Sequence, residues 1–264
     1  LFRRYNTGGT NLNGAEIRHA VFHENAFHME LFCLAGEDVD ASEFSKTTKE
    51  VRKLIRVALS NLTGFKAYDR ICRYFGYQYA PKGMTTANAI FKFFEDRNDA
   101  DPESAGKLAT EFIEAAEFCD DLFGSNYRFC RLKEDGTSGG FGAWPYTIQM
   151  IGSTHILHRY PDELDKIRGM QQEVIDEWEK FYMSEVFNVR QNSTTLWESQ
   201  IKWCESLDKF IERENVSKSE LEIILDELHQ MDPLLRSGFI KMLSHKEYYD
   251  KLVNEAEFQG WIET

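Results

Sequence analysis

The sequence predicts a mainly α-helical protein, a multi-helix bundle carrying one small β-hairpin near residues 127–141. Three observations lead there. Apolar residues recur at i, i+3, i+4 and i+7 through most of the chain. Helix start signals are frequent, among them Asp101-Pro102, Ser217-Lys218-Ser219-Glu220 and Ser244-His245-Lys246-Glu247. Strand-like alternation is confined to Tyr127–Leu132, just ahead of an Asp135-Gly136 turn.

Taken in order, the chain opens on a short segment ending in Arg4 and Tyr5, then a polar turn, Asn6-Thr7-Gly8-Gly9-Thr10. Asn13 with Glu16 fits the first and last residues of a capping box, so a helix is expected from Gly14, with a break near Asn25, to about Ala35. Val51, Leu54, Ile55, Ala58, Leu59 and Leu62 mark the next helix. Tyr68, Ile71, Cys72 and Phe75 mark the one after Gly64, and Thr85 or Thr86 caps another carrying Ile90, Phe91, Phe93 and Phe94. Asp101 as N-cap and Pro102 as first helical residue start a long helix with Leu108, Phe112, Ala115, Cys119 and Leu122 on one face. The polar stretch Asp96–Asp101 is the expected junction between an N-terminal helical subdomain, 1–98, and a C-terminal bundle, 99–264. Beyond the hairpin, Pro145 and Pro161 are placed as first helical residues; Leu164, Ile167, Met170, Val174, Trp178 and Phe181 form one stripe, and Trp197, Ile201, Cys204, Leu207 and Ile211 another. Asp232-Pro233 is a further start signal.

A length of 264 residues can bury a sizeable core. The formal net charge of −13 argues against a surface that wraps nucleic acid through many phosphate contacts, which leaves only local basic clusters: Lys46, Lys49, Arg52, Lys53 and Arg56, and Arg70 with Arg73. Five cysteines without a C-x-x-C pair suggest neither a disulfide framework nor a zinc ribbon, and fit a reducing cytoplasm. No apolar run reaches the roughly 18 residues that a membrane span needs. The chain begins at Leu1, in mid-motif, so it is expected to be a piece of a longer protein.

The opening turn is the first candidate for chemistry. Two glycines permit close backbone approach, the Asn and Thr can hydrogen-bond back onto the turn, and arginines and a helix N-terminus lie nearby, a combination that can hold an anion such as phosphate. The alternative is a plain connector between packed elements, with Arg18 pointing into water.

The run Phe2-Arg3-Arg4-Tyr5-Asn6-Thr7-Gly8-Gly9-Thr10, followed by Leu12, Glu16, Ile17 and Arg18, resembles the F-x-R-(I/L/Y)-N-T-G-G-x-x-L-x-x-x-E-I-R signature of the GmrSD-type restriction endonuclease N-terminal domain family. A weaker likeness continues at Asp69-Arg70-Ile71-Cys72-Arg73-Tyr74-Phe75, similar to the family's D-R-E-x-x-L-R-F helix with Cys72 in place of leucine, and at Phe187–Thr195. The resemblance implies the helical region of a protein of nucleotide-dependent restriction of phage or modified DNA. It implies an upstream ParB/sulfiredoxin-like domain with an Asp-Gly-Gln-Gln-Arg motif, absent here, that binds a nucleoside triphosphate with Mg2+. It implies, further, a nuclease domain or subunit as partner, and only indirect contact with DNA. On this reading Arg4, Asn6, Thr7, Gly8, Gly9 and Thr10 close one wall of the nucleotide pocket, Glu16, Arg18, Asp69 and Arg73 support it, and the chain alone neither binds the nucleotide nor turns it over. The rival expectation is a non-catalytic helical scaffold that docks a partner protein.

Other constellations are weaker. Glu16, His19 and His23 lie on successive turns of one helix, with the i, i+4 histidine spacing that can grip a metal, but Ala20 stands where the metalloprotease pattern requires Glu. Partly exposed histidines, one touching Glu16 or Glu24, are expected instead. His155 and His158 are expected to be structural or on the surface, and His28 stands alone. Asp69 and Arg73, at i, i+4, are spaced for an intrahelical ion pair worth about 0.3–0.5 kcal/mol when exposed. The glycine-rich tract Gly136–Gly142 lacks the Gly-Lys-Ser/Thr ending of a phosphate loop and is expected to be a surface loop.

Overall fold

The computed structural model describes residues 14–35, 65–190 and 192–230. Those up to Leu207 belong to one compact unit, and Asp208 begins a second. The opening turn, the helix expected around Val51–Leu62, and the start signals at Asp232-Pro233 and Ser244 lie outside the described residues.

The chain is mainly helical. Helices α1 (Gly14–Phe22), α2 (Ala26–Leu34), α3 (Phe65–Tyr79), α4 (Thr86–Glu95) and α5 (Pro102–Tyr127) precede an antiparallel hairpin of β1 (Cys130–Leu132) and β2 (Ser138–Phe141). There follow α6 (Ala143–Arg159), a 3-10 turn (Pro161–Glu163), α7 (Leu164–Arg168), α8 (Gln171–Phe181), a π-helical turn (Tyr182–Val186) and α9 (Ser193–Gln230).

Local chemistry explains many of the boundaries. Asn25 ends α1 and caps α2, its Oδ1 accepting from the His28 amide at 2.9 Å. Its Nδ2 donates to the carbonyls of Arg97 (2.8 Å) and Asn98 (3.0 Å), so one buried amide also fixes the loop after α4. Thr85 caps α4, and Asp101 caps α5 by accepting from the Ser104 amide at 2.7 Å, with Pro102 at the first helical position. Gly136 takes a φ of 76° in the hairpin turn, where Asp135 Oδ1 accepts from the Thr137 amide at 3.0 Å.

Elsewhere the elements differ from expectation. The helix at Pro145 starts two residues earlier, at Ala143, and Pro161 opens a 3-10 turn rather than an α-helix. The single stripe from Leu164 to Phe181 is cut at Gly169-Met170 into α7 and α8, although Ile167, Met170, Val174, Trp178 and Phe181 are all buried as that stripe requires. Ser217–Glu220 lies inside α9 instead of starting a helix. On α9 the expected Trp197, Leu207 and Ile211 are buried, but Cys204 is half-buried and Ile201 is among the exposed large apolar residues, while Leu196, Gln200 and Trp203 are buried as well. Gly152 on α6 seats Trp203, because a Cβ there would stand 2.4 Å from its Nε1.

The core of the first unit is aromatic. Phe27 meets Phe75 and Phe93 edge-on, with centroids 5.3 and 4.7 Å apart, and Phe75 stacks on Phe93 at 5.2 Å. Trp178, Trp203, Phe123 and Phe181 form a second cluster, in which the two indoles meet edge-to-face at 5.1 Å. Helices from both sides of residue 98 share this unit, with α2 packed on α5 and α3 on α6. Among the described residues no helix is long and apolar enough to cross a membrane.

Candidate functional site

One group of buried polar side chains lies where α1, α2 and α3 meet. Helix α1 carries Arg18 one helical turn in from Gly14. Instead of reaching water, Arg18 is only 3% exposed, and its Nη2 donates to Asp69 Oδ1 on α3. Its Cζ lies 5.7 Å from the centroid of the Tyr68 ring. Burial acts to lower the Arg18 pKa, but the fields of Cys72, Asp69 and Tyr68 and the hydrogen bond to Asp69 outweigh it, so the guanidinium is held charged. Arg18 Nε is buried without a hydrogen-bond acceptor.

Beside this pair runs a short chain of rings. His19 Nδ1 and His28 Nε2 share a hydrogen bond at 2.9 Å, and His28 Nδ1 shares another with the Tyr68 hydroxyl at 2.6 Å. His28 is fully buried. Its pKa falls to about 3, first because burial penalises the cation and then because His19, Arg18 and His23 repel a second positive charge. Burial pushes the Cys72 thiol up to about 12 and the Tyr68 phenol well above its usual value, so both stay protonated near neutral pH. A neutral His28 with both ring nitrogens engaged acts as a fixed strut between α1 and α3.

Of the residues singled out from sequence, Arg18 and Asp69 are brought together. Arg73 is not joined to Asp69: the intrahelical pair allowed by their spacing is absent, because Asp69 turns toward α1 and the buried Arg18, where it meets a charge with no water to solvate it. Arg73 lies half-buried with its Nε lacking an acceptor. Glu16 lies on α1, half-exposed. The trio Glu16, His19 and His23 does not converge: His19 turns to His28, His23 pairs with Glu24 at 3.6 Å, and no group of three or more metal-ligating side chains occurs among the described residues. Arg4, Asn6, Thr7, Gly8, Gly9 and Thr10 fall outside the described residues.

His28 and Tyr68 were not legible as partners. They are 40 positions apart, and His19 is separated from His28 by the break at Asn25, so no periodic template links the three. The available signal was a histidine inside a helix, Ala26–Leu34, that is apolar apart from His28 and Glu30, where the burial cost of imidazole makes it unusual without a partner.

Surface clefts also occur among the described residues. One, of about 430 Å³, lies between α5, α6 and α7 and presents Glu111, Glu114, Glu117 and Asp121 around Phe118 and Leu157. Another, at the end of α6, is lined by Gln78, His155, His158 and Arg159. No family model, curated protein or solved structure matches the chain.

Proposed function

We propose that this chain is the helical region of a GmrSD-like, nucleotide-dependent restriction protein of the cytoplasm, and that its opening turn closes one wall of a nucleoside-triphosphate pocket completed by an upstream ParB/sulfiredoxin-like domain. The Arg18–Asp69 pair supports this reading, because it joins the two stretches on which the resemblance rests. A turn meant to grip phosphate has to be held at its exit, and a buried guanidinium bound to a second helix one turn downstream supplies such an anchor. In this role Arg4 offers charge to phosphate oxygens, the amides of Gly8, Gly9 and Thr10 donate, and Asn6 and Thr7 set the turn's shape. Mg2+ accompanies the nucleotide, and the nuclease is a separate domain or subunit that alone meets DNA.

The test is calorimetry of the chain extended to include the upstream domain, titrated with GTP, CTP, UTP and ATP. Arg4→Ala combined with Asn6→Ala is expected to abolish nucleotide-stimulated activity and the binding that depends on the opening turn, with little change in melting temperature. Hydrolysis that survives the double substitution would leave the helical scaffold as the better reading.

A further inference from the structure

Helix α3 carries a second pair of basic residues whose arrangement the Arg18–Asp69 anchor does not use. Arg70 and Arg73 are three positions apart, which places them as neighbours on one helix face. Both are half-buried, and among the described residues neither guanidinium is engaged by a carboxylate or by a carbonyl. Arg73 Nε is enclosed without an acceptor. Arg70 is spread over the Phe141 ring, its Cζ 5.7 Å from the centroid, and its backbone carbonyl accepts from the Tyr146 hydroxyl at 3.0 Å. Burial and the neighbouring charge of Arg73 lower the Arg70 pKa, against the smaller opposing pull of Asp69 and Tyr146.

Two like charges half-removed from water, with only the field of Asp69 on Arg70 to offset them, cost stability. The nearest acid, Asp69, is already committed to Arg18, so three arginines on α1 and α3 share one carboxylate and a surplus of two positive charges remains in a chain whose total is −13. The adjoining element adds donors. Phe141 is followed at once by Gly142, the N-cap of the 17-residue helix α6, which no side chain caps, so its first amides are left to other acceptors. A single carboxylate is satisfied by one arginine fork. Two forks beside an uncapped helix start suit a tetrahedral dianion, which has oxygens for both.

We propose that Arg70 and Arg73, beside the start of α6, form a binding site for a phosphoryl group, supplied either as free phosphate or as the phosphate chain of a nucleotide. Arg70 and Arg73 donate to separate oxygens, the Phe141 ring holds the Arg70 plane in place, and the ligand's negative charge removes the repulsion between the two. This site does not depend on the opening turn.

The native chain, modified with the arginine reagent phenylglyoxal and mapped by mass spectrometry, reads the site without any substitution. Inorganic phosphate and ATP are expected to protect Arg70 and Arg73, leaving the labelling of exposed Arg213 unchanged. Protection by both probes assigns the site to a bare phosphoryl group, and protection by ATP alone assigns it to a nucleotide. In calorimetry Arg70→Gln and Arg73→Gln are each expected to weaken binding of the protecting probe roughly ten-fold or more, while Arg97→Gln, at an arginine that stacks on Phe93 and Tyr79, leaves it unchanged. Absence of protection by either probe overturns the proposal, as does protection by a single-stranded oligonucleotide alone or binding that both Gln variants retain.

Discussion

Replacing Asp69 by alanine tests the anchor directly. Arg18 is 3% exposed, and Asp69 supplies its carboxylate partner, so the substitution strands a charge that burial keeps from water. Removing one member of a fully buried ion pair costs about 3–5 kcal/mol, while an exposed pair is worth about 0–1 kcal/mol. Because Asp69 itself is 35% exposed, water can enter the space it vacates and solvate part of the guanidinium, which sets the expected loss between those limits, at about 2–3 kcal/mol. For a unit of this size that lowers the melting temperature by roughly 4–12 °C. Urea unfolding followed by circular dichroism would measure the loss as a shift in midpoint at constant slope. The decisive comparison is a double-mutant cycle with Arg18→Met. If the pair acts as the structure shows, Asp69→Ala costs much less in the Arg18→Met background, because no stranded charge remains, and the coupling is about 1–3 kcal/mol. A coupling near zero would refute the reasoning and leave the two side chains as independent packing elements.

Two further outcomes follow from the same region. Asn25→Asp keeps the cap oxygen for the His28 amide but sets a charged acceptor against the Arg97 and Asn98 carbonyls in a buried site, so it is expected to cost at least as much as Asn25→Ala, which loses both contacts and should fall by about 2–3 kcal/mol in chemical unfolding. His28 is neutral in the fold down to about pH 3, whereas an unfolded histidine gains its proton near pH 6.5. The unfolded chain thus binds the extra proton in that window, and this group's contribution is complete above about pH 6.5 and lost as pH falls toward 3, by up to about 1.4 kcal/mol per pH unit. His28→Gln should flatten the dependence of the urea midpoint on pH over that range; an unchanged slope would show that other groups carry it.

The sequence by itself determined what depends on neighbours along the chain. The break at Asn25, the helix caps at Thr85 and Asp101, the turn at Asp135-Gly136 and the buried stripe of α3 each follow from residues within one or two helical turns, where backbone and side chain meet before any tertiary contact forms. Only the tertiary structure decided which polar residues meet. Arg18 is separated from Asp69 by 51 positions, and His28 from Tyr68 by 40, and no local spacing can express such a pairing. Spacing along α3 favoured Asp69 with Arg73; the fold gave Asp69 to Arg18 because a guanidinium buried on α1 gains more from that carboxylate than one beside water does. The burial of Trp203 on α9 is similar in kind: it lies off the stripe that spacing marks, where Trp197, Leu207 and Ile211 are also buried, and the bare backbone of Gly152 makes room for its indole.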